Sequence, residues 1–187
     1  MATPTVAAMT LSITEYSVFV ALRAWIISVL GSSVEVIQEL DNRVPTPKGG
    51  FVLMNCLNRK SLSWPVMSFV DKDAVGTIPA VTTFINTQPI DYAIQLDCYG
   101  PIAGDWVTML STMWNTEQAC NLLEPYGFDP LYSGNPHQIA FVDGEKQYQH
   151  RWVMDVHIQY NPAITTSMQF ASSAEVDIIN VDRNYPI

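Results

Sequence analysis

Charge is what this sequence has least of. Only 14% of its 187 residues are Asp, Glu, Lys or Arg, where soluble domains carry about 25%. A surface so poor in charge must be neutral-polar or covered by other chains. Cations are the scarcest: nine Lys and Arg stand against 18 Asp and Glu, for a net charge of −9. Gripping DNA takes clustered Lys and Arg to neutralise phosphates, so this chain does not bind nucleic acid through its bulk field. Surrounding DNA without holding it is still compatible with the composition. Residues 1–13 contain no Lys or Arg, so the basic start of a secretory signal is missing. The apolar run Val18–Leu30 is too short for a bilayer and carries Arg23 in its middle. The expectation is a protein made in the cytosol, used there or released on lysis, with no membrane contact.

Residues that do chemistry are equally sparse. The three cysteines, Cys56, Cys98 and Cys120, are odd in number, far apart and set in apolar contexts, which predicts buried free thiols in a reducing compartment. None has a His nearby in sequence to activate it. His150 and His157 differ by an odd number, so on one strand they point to opposite faces. His137 lies before that strand, and zinc sites need closely spaced pairs. The PTPKGG segment lacks the spacing that wraps phosphates, and Ser133-Gly134 lacks the flanking glycine of a nucleophile elbow. The pairs Asp71/Asp73 and Asp97/Asp105 read as solvated charge rather than a cation site. No catalytic, metal or cofactor-binding residue is assigned, and no cofactor is expected.

Apolar and aromatic side chains are what the chain does have. Hydrophobic residues make up 48%, with five Trp, eight Tyr, seven Phe and eight Met. Aromatics and Met are enriched in interface cores, so self-association is favoured over a merely well-filled core. The length suits one domain.

Residues 1–13 read as an irregular arm. Thr14 is placed to cap a helix over Glu15–Leu30 that stops at Gly31, with Val18, Leu22, Trp25, Ile26 and Val29 on one face. Val34–Leu40 and Phe51–Leu57 read as strands, the second buried on both faces. Between them lies the constrained loop Asp41–Gly50, and 58–80 reads as loop-rich. A long extended segment starts at Val81 and alternates over Ile90–Tyr99; Pro89 marks its early part as an edge or bulge. Helices follow at Ile102–Asn115 and, capped by Thr116, through Leu123, and then Tyr126–Pro136 reads as loop. His137–Val142 is a short strand and Asp143-Gly144 a hairpin turn. The turn feeds Tyr148–Asn161, whose period-two alternation holds for 14 residues. At 3.4 Å per residue that is about 45 Å, longer than this core needs. The two long strands are expected to pair, and their excess length to extend a sheet past one subunit's core into a neighbour's. Residues 163–173 read as extended or looped, and Ala174–Val181 as a last strand. The fold class is therefore α+β: a mainly antiparallel sheet with two long strands, packed by an N-terminal helix and a second helix pair. The expected domain spans 14–181, between the arm at 1–13 and a tail at 182–187.

Several stretches, in order, resemble the neck or tail terminator family of tailed bacteriophages: DNRVPTPKGGFVLMN, IQLDCYGPIAGDWVTMLSTMWNTEQAC, GFDPLYSGNPHQIAFVDGEKQYQHRWVMDVHIQYNP and FASSAEVDIINVDRNYP. Together they cover most of the chain from residue 14 onward. The resemblance implies a virion protein, six copies of which close into a ring at the head-proximal end of the tail. Such a ring ends tail-tube growth and joins the tail to the neck or connector, with tube and sheath proteins as partners, while DNA passes through its opening. It would be made in the host bacterial cytoplasm, and the family carries no catalytic residues. A stopper or completion protein of the same connector is the alternative, and a small hydrolase or ligand-binding domain a remoter one.

For contacts with partners the sequence singles out Asp41, Asn42, Arg43 and Lys48. A rigid Pro/Gly loop loses little entropy on docking, and its two cations suit an acidic partner. Arg183 and Tyr185 in the tail DRNYPI are the second candidates. Reversing the charge of Arg43 and Lys48 together is expected to lower the yield of head–tail-joined particles, counted by electron microscopy; an unchanged yield removes this loop from the interface.

Overall fold

The computed structural model describes residues 9–38, 47, 49–70, 81–142 and 148–169. Helix α1, Glu15–Leu30, opens where the Thr14 hydroxyl accepts from the Ser17 N–H at 3.3 Å, which satisfies one orphan donor of the first turn. It closes at Gly31, whose φ of 95° suits a residue without Cβ. Val18, Phe19, Ala21, Leu22, Trp25 and Ile26 are buried along one face, the stripe the apolar spacing predicts. Helices α2 (Ala103–Trp114) and α3 (Glu117–Leu123) form the second pair. Thr116 does not cap α3 with its side chain; its hydroxyl turns back to the Met113 carbonyl at 2.7 Å. A 3-10 turn, Glu124–Tyr126, follows.

There are two sheets among the described residues. The first runs β2 (Glu35–Gln38), β3 (Phe51–Ser61), β6 (Ile90–Tyr99), β9 (Tyr148–Tyr160), β7 (Phe128–Ser133), with β8 (His137–Val142) also on β9. The second runs β1 (Thr10–Leu11), β10 (Ala163–Gln169), β5 (Val81–Thr87), β4 (Val66–Val70). All pairings are antiparallel except β2 with β3. The two long strands do pair: β6 lies on β9 from Ile90↔Tyr160 to Tyr99↔Arg151.

The core fills the space between the helices and one face of the first sheet. Tyr92, Ile94, Leu96 and Cys98 of β6 and Met154, Val156, Ile158 and Tyr160 of β9 meet the α1 stripe and Leu110 and Trp114 of α2. Each large apolar side chain so buried contributes about 1.5–3 kcal/mol. At its centre Trp25 and Trp114 meet edge to face, centroids 4.8 Å apart. The Trp114 indole N–H donates to the Tyr132 carbonyl at 3.1 Å, fixing α2 against β7.

The structure corrects several sequence boundaries. β3 continues to Ser61 and β4 forms at Val66–Val70, inside a stretch read as loop. Asn58 and Ser61 are held by ladder pairing to Ala93 and Ile90, past a bulge between Cys56 and Asn58, so the tertiary pairing overrides their loop preference. β3 is buried only over Phe51, Val52 and Met54, and is exposed from Cys56 on. The extended segment from Val81 is two strands in different sheets, parted at Gln88 and Pro89. β7 replaces most of the Tyr126–Pro136 loop, and β1 gives the arm a two-residue strand on β10. The strand expected at Ala174–Val181 and the Asp143-Gly144 turn lie outside the described residues.

Leu96 has no exposed surface, while Leu57 is 41% exposed. Leu96→Ala is expected to cost about 2–5 kcal/mol, and Leu57→Ala within about 0.5 kcal/mol. Urea unfolding midpoints measure both; equal shifts would contradict this placement of the core.

Candidate assembly interface

Three strands leave the first sheet and enter the second in the same lateral order. β3 leads to β4 through Leu62–Pro65, β6 to β5 through Pro89 and Gln88, and β9 to β10 through Asn161–Pro162. Each crossing holds a proline: Pro65, Pro89 or Pro162. Proline has no N–H to give a ladder, so regular pairing ends at these points and resumes beyond them. Backbone bonds from Leu62 N–H to the Pro89 carbonyl (3.0 Å) and from Gln88 N–H to the Pro162 carbonyl (3.2 Å) tie the crossings together.

Beyond the crossings the core is gone. No described side chain of β1, β4, β5 or β10 is buried, and no residue of these four strands is charged. Partners across a ladder share a face. One face therefore carries the row Leu11, Ile164, Asn86, Met67 and the row Thr166, Phe84, Phe69. The other carries Thr10, Thr165, Ile85, Ser68, Thr87 and Val66. The first is the apolar face. On it Met67 is 64% exposed and Phe69 57%, and Phe69 touches Phe84 at a centroid distance of 5.2 Å. Trp64, at the crossing into β4, is 90% exposed. Where the apolar face meets the body there is a cavity of about 240 Å³, lined in part by Leu11, Ile13, Asn86, Ile90, Tyr160 and Ile164.

Beside this corner Glu15, Arg59 and Tyr92 join α1 to β3 and β6. Arg59 Nη2 lies 2.8 Å from Glu15 Oε1, the Tyr92 hydroxyl donates to the same oxygen at 2.8 Å, and the guanidinium stands 4.5 Å over the Tyr92 ring. Burial, more than its partners, raises the Tyr92 phenol well above its ordinary value. The hydrogen bond to Tyr92 raises Arg59 further. The pair is half exposed and acts as a brace; surface pairs of this kind are worth at most about 1 kcal/mol.

The face of the first sheet away from the helices is polar. Asp97 is fully buried and receives Arg151 at 3.1 and 3.4 Å and the Gln95 amide at 2.9 Å. Asp91 meets His157 Nδ1 at 2.8 Å, with Tyr132 stacked on the imidazole at 4.1 Å. Both groups cross from β6 to β9 and hold the ladder in register. Among the described residues no hydroxyl or thiol donates to His157, and no cluster of three or more His, Cys, Asp or Glu is spaced to hold a metal ion. His150 is exposed, beside Gln138.

The sequence candidates Asp41, Asn42, Arg43, Lys48, Arg183 and Tyr185 all lie outside the described residues. Gly50, which follows the first four in sequence, is itself closely packed. A Cβ on Gly50 would fall 2.6 Å from the Trp106 ring, and one on Gly100 2.8 Å from Gly50 Cα. What sequence reasoning missed is the second sheet. Its signal was available in three charge-free segments, each next to a proline.

The phage neck terminator protein family matches residues 16–184. The chain belongs to that family. No curated protein matches it. Membership makes it a structural protein of the phage neck, located in the virion and in contact with other neck or tail proteins. No helix among the described residues is long and apolar enough to cross a membrane.

The thiols need one correction. All three are free, but only Cys98 is buried; Cys56 and Cys120 are exposed. Cys56 begins the exposed part of β3, and Cys120 faces away from the buried Ala119 and Leu123 of α3. Burial, with Asp97 adding to it, pushes the Cys98 thiol up to about 12. Only thiolates alkylate. Iodoacetamide at pH 8 is therefore expected to add two labels to the native neck protein and three after unfolding, read by intact mass. Native labelling of Cys98 at the rate of the others would contradict this.

Proposed function

We propose that this neck protein is the subunit of a closed ring of six copies at the head-proximal end of the tail. The ring stops growth of the tail tube, contacts tube and sheath proteins on one side, and joins the neck or connector protein on the other. DNA passes through its opening. The observation that carries this reading is family membership over residues 16–184.

Physical features of the chain support it. A ring closes by heterologous contacts, and these need exposed surface that is neither charged nor self-satisfied; the second sheet is of that kind. A net charge of −9 suits a channel through which DNA must slide, because a basic lining would hold phosphates by counterion release. The chain acts by binding and positioning, not by catalysis. We read 14–181 as one domain, since three strands continue from one sheet into the other. Asp41, Asn42, Arg43 and Lys48, with Arg183 and Tyr185, are proposed as contacts to neighbouring neck proteins. Synthesis takes place in the host bacterial cytoplasm, and the finished ring is part of the virion.

Native mass spectrometry of the purified protein, alone and with tail tubes, tests the reading. The expected result is a species of six times 20.9 kDa. A strict monomer under both conditions would contradict it.

A further inference from the structure

We infer that the second sheet is an intersubunit element: the β4 edge of one copy lies against the β1–β10 edge of the next. The apolar face carrying Leu11, Met67, Phe69, Phe84 and Ile164 thereby runs from copy to copy. This inference rests on the ring reading and names the surface that closes the ring.

Four observations carry it. First, no described side chain of this sheet is buried on either face. Small sheets are stable when a hydrophobic face is packed against something, and among the described residues nothing in the subunit buries this one. Second, among the described residues β4 ends the sheet, with the sequence Val-Met-Ser-Phe-Val. Edge strands that must stay unpaired are protected by Lys, Pro, bulges or inward-pointing charge; β4 has no charge, no proline and an unbroken register over Val66–Val70. Third, the two edges match. The alternation β1, β10, β5, β4 is antiparallel throughout, so β1 and β4 run in opposite directions. Setting β1 of one copy beside β4 of another keeps the antiparallel order, and the join is head to tail, the kind that builds rings.

Fourth, charge selects the occupant. Copies that each carry −9 repel one another, and the four strands without any charged residue are where they approach at least cost. Phosphates of DNA or of a lipid surface would find no cation on the sheet to pair with.

Two variants test this. Met67→Glu with Phe69→Glu puts carboxylates on the exposed face and edge of β4, away from the core. Independently, Leu11→Cys with Met67→Cys, or with Phe69→Cys, is made in a Cys56→Ser, Cys120→Ser background. Leu11 and Met67 share one cross-sheet row three strand spacings apart, about 14 Å within a copy, while a disulfide needs Cβ atoms about 4 Å apart. Any bridge must therefore join two copies.

The expected results are rings for wild type, monomers for the Glu pair with unchanged circular dichroism and melting temperature, and an oxidation-dependent ladder of covalent oligomers for at least one Cys pair. If the Glu pair fails to fold, the ladder alone decides. Wild-type rings with intact Glu-pair rings and no ladder would overturn the inference and leave the ring reading standing. Glu-pair rings that no longer attach to tails would assign the face to a different protein, and overturn it as well. A wild type that stays monomeric with and without tail tubes would sink the ring reading and this inference together.

Discussion

The antiparallel ladder between Ile90–Tyr99 and Arg151–Tyr160 fixes everything else in the molecule. A slip of one residue would move every side chain of a strand to the opposite face. Here one face must deliver Tyr92, Ile94, Leu96 and Cys98 to the helices. The same slip would place Asp91 and Asp97 in the apolar core, without the His157 and Arg151 that now meet them. Hydrophobic pattern and buried polar pairing thus agree on one register. Breaking a buried pair such as Asp97–Arg151 from one side costs about 3–5 kcal/mol, more than the pair adds over an apolar substitute. Its role is to exclude wrong registers.

The same ladder sets where the chain leaves its core. Since β3, β6 and β9 are neighbours, their continuations β4, β5 and β10 emerge as neighbours too, and three prolines mark the exit. A neck protein must be soluble enough to await assembly and apolar enough to bind once its partners arrive. This chain separates the two demands in space. Its packed sheet is covered on one face by helices and braced on the other by the Asp97–Arg151 ion pair and the Asp91–His157 contact, and among the described residues its uncharged sheet is left uncovered. The low overall charge and the exposed Trp64 fit that division.

Much of this was legible in the sequence, for definable reasons. The 3.6-residue stripe of α1 and the two-residue alternation of Tyr148–Asn161 are local patterns that burial on one face imposes; both were found, the strand ending at Tyr160. β7 was hidden because Pro130 and Ser133 are turn formers held extended by β9, with a register shift between them. β4 was hidden because both its faces are exposed, so neither alternation nor a buried run marks it. Cys56 misled because its apolar neighbours suggested burial, whereas β3 is exposed from Cys56 onward. The loop Asp41–Lys48 and the tail with Arg183 and Tyr185 stood out by composition alone, and they remain proposals for partner contact.

A density map of the assembled phage neck, at a resolution that traces strands, tests the central claim most directly. The account predicts this chain as a closed ring at the head-proximal end of the tail, around the DNA path, with each copy's uncharged sheet against the next copy. A map with this chain away from the head–tail junction, or as isolated copies whose second sheet faces solvent, would contradict it.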